Sequence, residues 1–201
     1  MPLASIAGLA CRRGDRRLFE GLDLRVAAGE ALWLRGRNGC GKTSLLRLLA
    51  GFGSPDSGHL LLTTRVLYIG HTSALHGDLT SAEALAFLLD LQRAPAAQID
   101  SAAVLAALSR IGLRAQADVS VRGLSQGQRR RVALARLAAE TEPSLWLLDE
   151  PFDALDADAA ACVTALMGEH LQRGGAAIVA SHQAFGGAHW QPRVCDLDRL
   201  H

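Results

Sequence analysis

A single lysine, Lys42, stands in a chain of 201 residues whose 20 other basic side chains are all arginine. It lies in the run Gly36-Arg37-Asn38-Gly39-Cys40-Gly41-Lys42-Thr43-Ser44. A glycine, four residues and then Gly-Lys-Thr is the spacing of a phosphate-binding loop. Glycines let the backbone wrap so that successive N–H groups point at phosphate oxygens, and a following helix adds partial positive charge from its N-terminus. Lys42 would reach the β- and γ-phosphates of a nucleotide, and the Thr43 hydroxyl would ligate Mg²⁺. A compact ammonium sits between two phosphates where a planar guanidinium fits poorly, which accounts for the one lysine standing here. A chance match in a chain with this much glycine has an expectation of about one in a thousand. The cysteine inside the loop is a second expectation. Beside Lys42 and at a helix start, Cys40 should carry thiolate character and react ahead of the other cysteines, unless it points into the core.

Leu145-Trp146-Leu147-Leu148 ends in Asp149 and Glu150. An acidic pair after a strand is by itself more often a helix cap. Downstream of a phosphate loop, Asp149 is placed to hold Mg²⁺ through water and Glu150 to polarise an attacking water. Leu124-Ser125-Gln126-Gly127-Gln128 precedes Arg129, Arg130 and Arg131. The plain reading is a capped helix with a basic face; the functional one is a second phosphate-binding N-terminus with the Ser125 and Gly127 N–H groups free. Away from the phosphate loop in the chain, it would complete the site of a second copy.

The elements that must hold these residues follow from periodicity. Ala31 to Arg35 reads as a buried strand, Thr43 to Ala50 as a helix packed under it, residues 51–58 as a turn region and Arg65 to Ile69 as another strand. Ser81 to Arg93, Ser101 to Ile111 and Ser125 to Glu140 have helical periodicity with no strand between them. Ser125 followed by Gln128 forms a capping box. A strand at 145–148, a helix from about Asp156 to Arg173 and a strand at 176–180 restore strand–helix–strand order. The pattern is an α/β core over residues 1–70 and 141–201, interrupted by a helical insert at about 71–140.

With 49% hydrophobic and 20% charged residues, the chain can bury a core and reads as one domain. Net charge is +1 with no basic tail, which argues against a nucleic-acid partner held by bulk charge. No apolar run reaches the roughly 18 to 20 residues needed to cross a bilayer, so a membrane would be met through a partner. Cys11, Cys40, Cys162 and Cys195 are far apart, with no C-x-x-C pair, as in a reduced compartment.

The loop, the acidic pair and the motif at 124–128, in this order and spacing, resemble the ATP-binding cassette (ABC) ATPases over essentially the whole chain. The resemblance implies a P-loop NTPase (RecA-like) core with a helical subdomain. It also implies ATP and Mg²⁺ as ligands, hydrolysis of ATP, and two cassettes paired head to tail around two nucleotides. It assigns Pro151 to Asp156 to the D-loop and His182 to the switch histidine that senses the γ-phosphate. Two positions depart: Cys11-Arg12-Arg13 stands where the family has an adenine-stacking aromatic, and His71 where it has the Q-loop glutamine. An arginine plane could stack on adenine instead. The segment 58–65 looks shorter than usual.

Ala10-Cys11-x-Arg13-Gly14-x-Arg16-x-Leu18-Phe19, Ile69-Gly70-His71 and the helix Gln128 to Leu137 resemble the haem-exporter ATPases of bacterial cytochrome c maturation. That implies a peripheral subunit on the cytoplasmic face of the inner membrane, bound to membrane-spanning subunits like CcmB and CcmC. It would power haem export or release of a haem-loaded chaperone. Competing readings are an ABC ATPase serving another substrate and a soluble ABC ATPase outside transport. A GTPase lacks support, because its guanine-reading lysine would have to be Lys42.

Overall fold

The computed structural model describes residues 2–91 and 100–199. The chain divides into two units. The first takes residues up to His71, Glu142–Pro151 and the chain from Gly168 on; the second takes Thr72–Thr141 and Phe152–Met167.

The first unit holds two sheets. β1 (Pro2–Arg13), β2 (Arg16–Ala27) and β4 (Ser57–Leu62) form an antiparallel sheet in the order β2-β1-β4. β3 (Ala31–Arg35), β5 (Val66–Ile69), β6 (Leu145–Asp149), β7 (Ala176–Ala180) and β8 (Arg193–Asp196) form a parallel sheet in the order β5-β6-β7-β3-β8. Every residue of β6 and β7 is buried, which is why they read as unbroken apolar runs rather than alternations. α1 (Lys42–Leu49) buries Leu45, Leu46, Leu48 and Leu49 in one apolar cluster with Leu32, Leu34, Leu147 and Ile178. That burial, rather than helix propensity, holds a helix of 8 residues in place directly behind the loop.

The second unit packs α2 (Ser81–Asp90), α3 (Ser101–Arg110) and α4 (Gln126–Ala139) against one another. Each has a side-chain cap: Thr80 with Glu83 and Ser125 with Gln128 make full capping boxes, and Asp100 accepts from the Ala102 N–H. The expected helix over 81–93 ends at Asp90, and residues 92 and 93 lie outside the described residues. α5 (Ala157–Gln172) begins in the second unit and ends in the first. Among the described residues no helix is long and apolar enough to cross a membrane.

Candidate nucleotide site

The loop between β3 and α1 takes backbone angles that few residues other than glycine adopt: φ is +143° at Gly36, +78° at Gly39 and +112° at Gly41. At Gly41 space matters as well, since a Cβ there would lie 2.9 Å from the Phe19 ring. Gly41 is also the N-cap of α1 and has no side chain to cap with, so the first-turn N–H groups of α1 keep no side-chain acceptor at that position. Lys42 is buried, and its Nζ donates to the carbonyls of Gly36 at 2.7 Å and Arg37 at 3.2 Å. The ammonium is thereby held inside the loop's curve.

The loop is braced from outside by a residue that no local motif marks. Asp198, in the 3₁₀ turn Leu197–Arg199, accepts from the Arg37 N–H at 2.9 Å and faces Arg37 Nε at 3.4 Å. It is 161 positions from its partner, so nothing in the spacing announces it. Cys40 corrects an expectation. Its side chain is buried, and its sulfur lies 2.5 Å from where a Cβ on Gly36 would sit. The thiol fills the space beneath the loop instead of facing a ligand, so it packs as a small apolar group.

The acidic pair meets the loop at the C-terminal ends of the parallel strands. Asp149, the last residue of β6, accepts from the Thr43 hydroxyl at 2.9 Å. Glu150 follows at φ +47°, a left-handed angle for a residue with a Cβ. Its N–H donates to the Ala180 carbonyl at 2.8 Å, tying the turn to the end of β7. One carboxylate oxygen accepts from the His182 N–H at 3.1 Å, and the other stands 3.4 Å from His182 Nε2. The structure therefore brings together Gly36 to Ser44, Asp149, Glu150 and His182 in the first unit.

Ser125, Gly127 and Gln128 belong to the second unit. The Ser125 N–H is not free, contrary to expectation: it donates to Gln128 Oε1 at 2.9 Å, while the Gln128 N–H donates to the Ser125 hydroxyl at 3.2 Å. The capping box that announces the helix consumes that donor. Gly127 has a packing reason to be glycine, because a Cβ there would lie 2.5 Å from the Ala154 carbonyl oxygen, with Ala154 itself at φ +61°. Asp156 caps α5 by accepting from the Ala159 N–H.

Cys11 is buried, which raises its thiol pKa, and the Arg12 N–H is bound to Asp56 at 2.6 Å. Arg13 pairs across the hairpin with Arg16, and it is Arg16, outside the expected 11–13, whose guanidinium approaches the loop at Gly39. His71 is exposed just after β5.

The ABC transporter family matches residues 19–153. A cytochrome c biogenesis ATP-binding export protein CcmA from Aromatoleum aromaticum is 45% identical, over 99% of this chain and 97% of its own. Another of the same name from Dechloromonas aromatica is 44% identical over 87% and 90% of the two chains. In fold, the chain matches an ABC transporter ATP-binding protein from Pyrococcus furiosus with a TM-score of 0.81 at 20% identity, covering 98% of each.

Proposed function

The chain belongs to the ABC transporter family of ATP-binding proteins and, within it, to the CcmA group of cytochrome c biogenesis, and from that premise we propose how it works. It hydrolyses ATP to drive a membrane complex that exports haem, or releases a haem-loaded chaperone, for assembly of c-type cytochromes. The observation that carries the hydrolysis is the convergence of Lys42, Thr43, Asp149, Glu150 and His182 around one glycine loop; the cytochrome c role is supported by the relatives named for it.

The polyphosphate lies in the loop formed by Gly36 to Ser44, with Lys42 turning from the Gly36 and Arg37 carbonyls to the phosphates. The Thr43 hydroxyl and the Asp149 carboxylate, 2.9 Å apart, are hard oxygen donors of the kind Mg²⁺ takes. Such an ion would neutralise charge on the β- and γ-phosphates. Glu150 accepts a proton from the attacking water, and His182, against the same carboxylate, orients it. Ser125, Gly127 and Gln128 of a second copy close the site head to tail, and membrane-spanning subunits of the CcmB and CcmC kind hold the chain peripherally at the inner membrane.

The test is purification of the tagged chain from membranes solubilised in mild detergent, with Mg²⁺-dependent phosphate release measured on the isolate. The expected result is co-purification with membrane subunits of cytochrome c assembly and loss of c-type cytochromes in cells carrying Lys42→Ala. Normal c-type cytochromes in those cells would overturn the assignment of the pathway.

A further inference from the structure

Arg13 and Arg16 face each other across the end of the β1–β2 hairpin as register partners. Like charges directly opposite on a strand pair repel, and such a pair persists where something else favours the charge. Two neighbouring arginines are engaged: Arg17 is paired with Glu20 and Arg37 with Asp198. Among the described residues neither Arg13 nor Arg16 has an ion-pair partner, and Asp15 in the intervening turn pairs with neither. Both side chains are exposed, so neither is spent on packing.

The Arg16 guanidinium lies over the phosphate loop. From the Cβ position of Gly39, its two terminal nitrogens are 3.7 and 4.0 Å away. Gly39 has φ +78° and no side chain to screen that approach. A planar cation with several free donors thus stands at the loop's rim without a carboxylate to satisfy it. The chemistry that fits is an oxyanion, for which an arginine fork gives short, charge-assisted hydrogen bonds.

We propose that Arg16 is a phosphate-gripping residue of the nucleotide site, bonding the polyphosphate tail from the rim of the loop at Gly39, with Arg13 keeping the local field positive. The inference rests on the nucleotide reading above and adds to it a source of affinity that ignores the base. Binding strength then comes from the phosphates, and discrimination between adenine and guanine is weak.

Calorimetric titration of the full chain with Mg-ATP, Mg-GTP and Mg-tripolyphosphate tests this. Arg16→Ala should weaken all three by a common factor of about ten to a hundred, the scale of one hydrogen bond to a charged group. Arg16→Lys should recover part of the loss, and Arg17→Ala should leave binding unchanged. The loss should shrink as salt rises, because the contact is exposed. Unaltered tripolyphosphate binding in Arg16→Ala, a loss confined to ATP, or a wild-type chain that binds ATP but not tripolyphosphate would each overturn the phosphate grip. Full affinity in Lys42→Ala marks a different failure, that of the nucleotide site itself.

Discussion

Glu150 holds its carboxylate on a backbone angle that costs on the order of 1–2 kcal/mol in a residue with a Cβ. The hydrogen bond from its N–H to the Ala180 carbonyl and that from the His182 N–H to its carboxylate fix this conformation. Glu150→Gln preserves shape and both bonds while removing the charge that polarises water. Turnover should therefore fall by roughly 10² to 10⁴ while ATP affinity stays near normal. Phosphate release and a binding isotherm on the same sample check this, and near-normal turnover would take the base role from Glu150. At this scale the sequence was highly legible wherever chemistry and backbone demand coincide, as at Gly36, Gly41 and Lys42. It was silent on Asp198 and Arg16, which reach the loop through folding rather than neighbourhood. It misled at Cys40, where the helix start and Lys42 suggested reactivity and the space under Gly36 decided burial.

Among the elements, β6 and α5 are joined by a buried stack: the Trp146 and His170 rings lie 3.8 Å apart at 9°. His170 Nε2 also lies 2.8 Å from the Ser144 carbonyl, which makes it the donor in the neutral ring. A Cβ on Gly175 would sit 2.1 Å from that nitrogen, so the turn before β7 must stay bare. Burial lowers the His170 pKa from 6.5 to about 4. The unfolded chain takes up this proton near 6.5 and the folded one resists it, so the stabilisation is complete above 6.5. It is lost as pH falls toward 4, by up to about 1.4 kcal/mol per pH unit. Urea unfolding between pH 7.5 and 4.5 should show a steeper decline in the native chain than in His170→Gln, which keeps a donor for Ser144; equal slopes would refute this. Helices with capping boxes and fully buried strands could be read from sequence. β1 and β2 could not, because several shifts of register break the alternation that marks a strand.

For the whole molecule, the phosphate loop belongs to one unit and the helix start at Ser125 to the other. If a second copy supplies Ser125, specific activity should rise with protein concentration. Ser125→Arg should then abolish hydrolysis with ATP binding largely intact. Concentration-independent activity from a sample shown monomeric by sedimentation would exclude the paired site. The order of the parallel sheet has a different consequence, which concerns synthesis. β3 is made well before both its neighbours, β7 and β8, which come from residues 176–180 and 193–196. Until those residues are made, the strand that leads into the phosphate loop has no partner on either edge. An unpaired apolar strand is open to pairing with other chains, so aggregation of the nascent chain is expected to fall in the interval between synthesis of β3 and of β7.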